Sequence, residues 1–465
     1  MPISTFSLLT GTCALAVAAS AATVPVRLHG EAWTDYGRMV HATDLGPEPG
    51  ANPVYVDGTA LQGMGTQFVL DAELGPDWQA GIGLGVLQVA HSTGTVGGET
   101  STPNFLNATM FRPYLAQAYV TYFRGDRAAP WLSLTAGNFA YNYNADVNNL
   151  GLYLLRGPVY PGLLSSGFQE FDTDSTKATH AGFRLHNTIG AFSHDILLLQ
   201  ERVVPPTFDW SLAYVAKYRL FDGLEVGGGV NFYRLIPYRA TLENPGRIST
   251  GEGAFAQDGT PNFAVGAGGD TTYPYTHQGT KVMAMFSLDL KRWAKLPRAS
   301  GRDLRFYGEA AILGVKNHGT YYDDITERIP VMLGFNLPTF GILDMLSVEG
   351  EWYGSPYRND YYNIGNPGAI VAPWMFQNGL TPLSSPVPVQ PGNYADSTAD
   401  NWKWSVTLQK TVARHVRFTA QVANDHYRQA PLVNSAAGIG TTGGTAVLLT
   451  SPSDWYFMGR LGFFF

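Results

Sequence analysis

The chain ends on Asp454-Trp455-Tyr456-Phe457-Met458-Gly459-Arg460-Leu461-Gly462-Phe463-Phe464-Phe465. Every second residue from Trp455 to Phe465 is apolar or glycine, whereas the intervening positions include Arg460, which carries the only charge in the repeat. A period of two residues predicts a β-strand with one apolar face and one mixed face. An exposed apolar edge strand invites aggregation, so this strand needs a cover for its apolar face and a partner for its edge. A lipid bilayer and the first strand of a closed barrel would supply both.

A terminal Phe465 on an amphipathic strand resembles the closing strand of bacterial outer-membrane β-barrels of the porin-like type. The resemblance covers residues 454–465 only. It implies a protein in the outer membrane of a Gram-negative-type bacterium, in contact with outer-membrane lipid. It also implies that the barrel-assembly machinery recognises Phe465.

The composition suits a protein with one surface in lipid and another in water. Charged residues make up 14% of the 465 residues, against about 25% in an average protein. Glycine (53), tyrosine (25) and phenylalanine (25) are abundant instead. The net charge of −7 gives no basic footprint, which argues against a nucleic-acid partner. No later segment has the 18 or so apolar residues that a membrane helix requires, so a membrane form must use strands.

Residues 1–22 form an apolar stretch that ends in small residues, with Ala19-Ser20-Ala21 at the expected cleavage site. This pattern predicts a signal peptide, although a lysine or arginine near its start is missing. Residues 23–465 would then form a single barrel domain. Cys13, the only cysteine, falls in the leader, so the mature domain would have neither disulfides nor thiolate catalysis.

Alternation along the chain predicts about sixteen strands. They span 24–40, 65–74, 78–92, 110–124, 130–144, 178–188, 193–203, 209–221, 223–239, 280–293, 303–317, 327–337, 342–354, 402–411, 414–428 and 454–465. Short turns alternate with longer connections, with brief exceptions at 204–208 and 318–326. The longer connections are 41–64, 93–109, 145–177, 240–279, 355–401 and 429–453. The prediction is an all-β, transmembrane antiparallel β-barrel with short periplasmic turns and long extracellular loops.

Tryptophans lie near the predicted strand ends, where an indole ring can sit between headgroups and acyl chains. They are Trp78, Trp131, Trp210, Trp293, Trp352, Trp402, Trp404 and Trp455. This distribution favours two aromatic girdles over chance scatter.

The positions opposite the apolar face should line the lumen. Predicted pore-lining residues on the strands are Arg184, Lys217, Arg219, Arg305, Glu309, Glu349, Glu351 and Arg417. Over all strands the acids and bases on this face balance, so the sequence predicts no strong preference for anions or cations. For any one of them, a wall residue paired with a neighbour is the plainer interpretation.

The connection at 145–177 is too apolar, between 150 and 164, for a loop bathed in water, so we expect it to pack against the barrel wall or a neighbouring subunit. In sixteen-stranded porins the third loop folds inward, and this segment looks similar in position and length. The Pro-Glu-Phe-Gly-Gly motif of those porins is absent. Inward folding would place opposite charges at a constriction formed by Arg156, Glu170, Asp172 and Asp174. An outward flap or a trimer latch is the alternative.

The sequence therefore favours a porin-like channel for passive diffusion of small hydrophilic solutes. Analogy with porins suggests a homotrimer. One rival is an oligosaccharide-selective channel with a sliding surface of Tyr153, Tyr160, Tyr233 and Tyr307. Another is a structural or adhesive envelope barrel plugged by its loops at 240–279 and 355–401.

An enzyme is disfavoured. The sequence Gly162-Leu163-Leu164-Ser165-Ser166-Gly167 does not match the Gly-x-Ser-x-Gly elbow of serine hydrolases. His180 and His186 lie six residues apart on one strand, too far for chelation, and no His-Glu-x-x-His motif occurs, so neither a metal nor a cofactor is expected.

Overall fold

The structure of the protein is a computed structural model. It describes residues 24–41, 60–91, 110–155, 167–169, 178–201, 208–236, 238, 263–265, 271–274, 279–293, 301–316, 325–353, 376–377, 381–382, 402–424 and 453–465. The predicted leader lies outside these residues, as do most of the predicted long loops. No helix in the described part is long and apolar enough to cross a membrane.

Sixteen strands, here numbered β1 to β16, form the wall. They are Val26–His41, Ala60–Glu73, Trp78–His91, Met110–Arg124, Leu132–Tyr141, Ala178–Ile189, Phe192–Gln200, Trp210–Phe221, Leu224–Ile236, Gly279–Asp289, Arg305–Lys316, Pro330–Asn336, Met345–Tyr353, Trp402–Val412, Val416–Ala423 and Trp455–Phe464. Each strand pairs antiparallel with the next, and β16 pairs antiparallel with β1. The sheet is thus a closed barrel without a free edge, which confirms the predicted porin-like architecture.

The alternation in β16 separates the two sides of the wall as predicted. Phe457, Leu461 and Phe463 are exposed on the outer face, while Tyr456 and Arg460 are buried on the inner face. The same period of two runs through β1, whose outer face exposes apolar side chains such as Leu28 and Tyr36. An apolar outer wall around a polar inner face is the arrangement that a transmembrane barrel requires.

The seam between β1 and β16 is held by backbone and side-chain contacts. The Gly30 amide donates to the Phe465 carbonyl at 3.0 Å, and the Phe465 amide donates back at 3.1 Å. Arg460 and Asp35 are direct register partners and form a buried bidentate ion pair. The Arg460 guanidinium also lies 5.0 Å from the ring centre of Trp33. The terminal residue is therefore part of the wall; its recognition by the assembly machinery stays a prediction.

The connections sort by length between the two ends of the barrel, here called the turn end and the loop end. Residues 74–77, 190–191 and 222–223 are among the short connections at the turn end, and Gly223 in the last of these adopts a φ of +104° that suits glycine. The longer connections, together with the two brief exceptions, all lie at the loop end. The predicted alternation of loop lengths is confirmed with one exception: the turn-end connection 290–304, between β10 and β11, is longer than the loop-end connections 201–209 and 317–329.

Eight tryptophans lie at or near strand ends, as predicted. Trp78, Trp131 and Trp293 lie at the turn end. At the loop end are Trp210, Trp352, Trp402, Trp404 and Trp455. Tryptophan is enriched at both membrane–water interfaces of membrane proteins, so two groups of tryptophans at opposite ends are expected for a transmembrane barrel.

Some predicted bounds are wrong. The strand predicted at 130–144 ends at Tyr141, where the chain leaves the wall. The strand predicted at 280–293 ends at Asp289, because residues 290–293 form one helical turn that reverses the chain. The strand predicted to begin at 65 begins at Ala60, since Gly63 and Gly65 weaken the periodic signal on its inner face.

Candidate functional site

Residues 142–155, here called the inner segment, leave β5 at the loop end and fold into the lumen. All of them are buried except Asn142 and Ala145, and Tyr153–Leu155 forms a short 3-10 turn. Gly151 has a φ of +83°, which a residue with a side chain rarely adopts. The prediction that this connection folds inward is therefore confirmed for its first part.

Glu349 on β13 accepts three consecutive amides of the inner segment. The N–H groups of Asn148, Asn149 and Leu150 donate to its carboxylate at 2.7, 2.9 and 2.9 Å. The Glu349 side chain is buried on the inner wall. Because a buried carboxylate is costly unless it is hydrogen-bonded, the contact stabilises both the charge and the segment's path.

Glu309 on β11 and Glu351 on β13 continue this arrangement along the inner segment. The amides of Leu152 and Tyr153 donate to Glu309 at 3.2 and 2.8 Å, and the Tyr143 hydroxyl donates to it at 2.5 Å. Glu351 accepts the Tyr153 hydroxyl at 2.9 Å. Three acids predicted to line a pore are thus the residues that hold the segment in place; we call Glu309, Glu349 and Glu351 the carboxylate clamp.

Amide side chains add further contacts between the inner segment and the wall. The Asn148 side chain donates to the Tyr307 hydroxyl at 3.0 Å and to Ser347 at 2.9 Å. Asn231 on β9 donates to the Leu154 carbonyl at 2.8 Å. These bonds satisfy polar groups that are removed from water, so the segment is fixed in one register.

Asp146 anchors the start of the inner segment at the turn-end half of the lumen. Its carboxylate accepts hydrogen bonds from Arg305 at 2.9 and 3.1 Å and from the Ser287 hydroxyl. Arg305 also lies 3.4 Å from the Asp289 carboxylate. Arg305, which was predicted to line the pore, therefore forms ion pairs with both Asp146 and Asp289.

The apolar side chains of the inner segment form a dry core with the wall. Leu150, Leu152, Leu154 and Leu155 belong to one buried cluster with inward residues of β7, β8, β10, β11 and β12. The wall contributes Leu197, Leu199, Ala213, Val215, Met283, Met285, Leu313 and Met332. The inner face of the wall is therefore largely apolar on this side, where the inner segment covers it.

A signal for this core was present in the sequence. The run Ile196-Leu197-Leu198-Leu199 of β7 is apolar on both faces, as in strands that are covered on both sides. The carboxylate clamp had no comparable signal, because its partners lie about 160 to 200 positions away along the chain and no local period links them.

The predicted basic residues on β6 and β8 face the lumen near the turn end. Arg184 donates to Asp195 at 2.8 Å, and Lys217 lies 3.5 Å from Glu225. Arg219 is exposed two residues further along β8.

The remaining predicted site residues lie elsewhere. Arg417 on β15 is apart from the bases of β6 and β8, with its guanidinium 4.5 Å from the ring centre of Phe464. Outside the described residues lie Arg156, Glu170, Asp172, Asp174 and Tyr160.

The predicted sliding surface of tyrosines does not line an open path. Tyr153, Tyr233 and Tyr307 are buried, and the Tyr307 hydroxyl is engaged by Ser347 and by Glu349, both at 2.8 Å. Rings enclosed in this way offer no accessible face for stacking on a sugar.

Comparison with known proteins shows similarity in backbone fold only. No protein-family model matches the sequence, and no curated protein matches it. Among solved structures, a triple mutant of the Rhodopseudomonas blastica porin matches with 9% identity and a TM-score of 0.40, covering 95% of this chain and all of that one. A second mutant of the same porin gives 9% identity and a TM-score of 0.39 at the same coverage. The chain is similar to these porins in strand arrangement, at a level that assigns no family.

Proposed function

We propose that this protein is an outer-membrane channel for small hydrophilic solutes, with a lumen narrowed by the inner segment. The observation that carries the proposal is the closed sixteen-strand wall, apolar outside and charged inside, with residues 142–155 clamped across part of its interior. A barrel of this strand number is wide enough for an aqueous passage.

The mechanism is passive diffusion. The inner segment occupies the space in front of β7 to β13, so solutes pass beside it, along the remaining inner face. Charged and polar side chains on that face replace part of the hydration shell of the solute. The outer wall would lie in lipid or against neighbouring copies, and a homotrimer remains a prediction.

Planar-bilayer recording tests this function. Purified full-length protein should produce stepwise conductance increments that scale with the salt concentration. Absence of steps, with correctly folded protein shown by circular dichroism and heat-modifiable gel mobility, would contradict the proposal.

A plugged structural barrel is the second candidate. Ser405 on β14, Gln421 on β15 and Arg460 on β16 are buried on the inner face, although these strands lie away from the dry core. Burial there favours a lumen filled on both sides. A folded barrel that stays silent in the bilayer recording would support this candidate.

A further inference from the structure

The inward ion pairs near the turn end are unequal in exposure. The Arg184 side chain is 28% exposed, whereas its partner Asp195 is 6% exposed. Arg305 is likewise 28% exposed, against 5% for its partner Asp289 and 10% for Asp146. In both cases the basic side chain is exposed toward the lumen, and the acidic side chain is buried beneath it.

Two more bases extend this surface on β8. Lys217 is 23% exposed beside Glu225, which is 35% exposed, so this pair presents both signs. Arg219 is exposed, and its side chain forms neither an ion pair nor a hydrogen bond within the described part of the chain. Arg184, Lys217, Arg219 and Arg305 together are called the cationic arc.

Acids are buried more often than bases throughout the described residues. Eleven carboxylates are buried: Asp35, Asp146, Asp195, Glu201, Asp209, Asp289, Asp303, Glu309, Glu349, Glu351 and Asp454. Only five lysines and arginines of the described chain are buried: Arg234, Lys281, Arg328, Lys403 and Arg460. The carboxylate clamp accounts for three of the acids, because the inner segment covers it.

Two inward acids on the facing wall, Asp71 and Glu73 of β2, lie beside nitrogen-bearing side chains. Asp71 on β2 lies 2.9 Å from His29, and Glu73 lies 2.9 Å from Arg127. The Glu73 charge is therefore partly cancelled locally. Arg219 of the cationic arc forms no ion pair among the described residues, and its register partner on β9 is Glu225, which pairs with Lys217.

We infer that the channel selects small anions at its turn end, through the cationic arc. The inference rests on the proposed channel function and adds the solute class. Charges that face a lumen with low-dielectric walls raise the local concentration of counter-ions, whereas charges behind them contribute less. Guanidinium groups also match carboxylate and phosphate oxygens geometrically. Although the inner face has equal numbers of acids and bases, the bases near the turn end are therefore more exposed to the lumen than the acids that pair with them.

Reversal-potential recording tests the inference. With a potassium chloride gradient across a bilayer that holds the full-length protein, the current should reverse at a voltage displaced toward the chloride equilibrium potential. Arg219→Gln should lower the chloride-to-potassium permeability ratio by about twofold, and Arg219→Glu should lower it further. The matched control is Lys410→Gln, which removes one positive charge from the outer face of β14 and should leave the ratio unchanged.

The outcomes separate the two proposals. Silent bilayers with folded protein would overturn the channel itself, and the anion inference with it. Stepwise conductance that favours potassium, or a ratio that Arg219→Glu does not change, would leave the channel in place and overturn the anion inference. A chloride preference that falls in the order wild type, Arg219→Gln, Arg219→Glu would support it.

Discussion

At the scale of single residues, the structure is held together by buried charges that bind polar partners. Glu349 accepts three backbone amides of the inner segment, and Asp35 binds Arg460 across the seam. Hydrogen bonds to a charged acceptor contribute more than neutral ones, and a buried charge that loses its partner is destabilising. These residues are therefore where a single substitution should have a large effect.

Replacing Glu349 with glutamine should loosen the inner segment. A glutamine side chain has only one acceptor oxygen, and its NH₂ group would face backbone N–H groups of residues 148–150. Hydrogen bonds that these N–H groups donate to the carboxylate would therefore be lost. We expect the local opening free energy at residues 148–150 to fall by about 2 kcal/mol, or roughly thirtyfold in exchange rate. Hydrogen exchange followed by mass spectrometry measures this. Glu225→Gln, on a carboxylate that is 35% exposed and does not contact the inner segment, is the control, and equal exchange in the two variants would contradict the clamp.

Replacing Arg460 with methionine should weaken the seam, because Asp35 is left buried without its partner. The expected loss of unfolding free energy is about 3–5 kcal/mol. Urea titration in detergent, read by gel mobility, measures it. The double variant Asp35→Asn with Arg460→Met should recover part of the loss. Recovery of nothing would mean that Arg460 acts through its packing on Trp33 alone.

At the scale of elements, the strands were predictable and the inner segment was predictable only in outline. The alternation that sets β1 and β16 is local, so each strand's own sequence contains it. Tyr141-Asn142-Tyr143-Asn144 continues the same alternation, and nothing local shows that the chain leaves the wall after Tyr141. The partners of the carboxylate clamp are distant in sequence. The alternation therefore places the three acids on the inner face but does not predict that they bind the inner segment.

Replacing residues 148–153 with a glycine-serine linker of equal length should widen the passage. The linker lacks Leu150 and Leu152, which pack in the dry core, and Asn148, which binds Tyr307 and Ser347. Single-channel conductance should increase relative to wild type. Ala145→Ser, at an exposed position of the inner segment, is the control and should leave conductance unchanged. An unchanged conductance in the linker variant would show that the inner segment does not limit the passage.

At the scale of the whole molecule, the barrel separates an apolar exterior from an interior that holds buried charges and, in front of β7 to β12, the dry core. Sequence composition indicated two surfaces but not which charges each surface presents. The chain has a net charge of −7, yet the bases at the turn end meet the lumen while their acids are buried. Exposure depends on packing between distant strands, so it could not be obtained by counting residues.

Site-directed spin labelling measures the alternation of inward and outward side chains in β16. Single cysteines at positions 455–463, in a chain with Cys13 replaced by serine, would carry nitroxide labels after reconstitution in lipid vesicles. Labels at Trp455, Phe457, Gly459, Leu461 and Phe463 should be accessible to oxygen dissolved in the bilayer, and labels at the intervening positions should not. An accessibility that repeats with a helical period, or that shows no contact with lipid at any of these positions, would contradict the transmembrane barrel and the channel proposed on it.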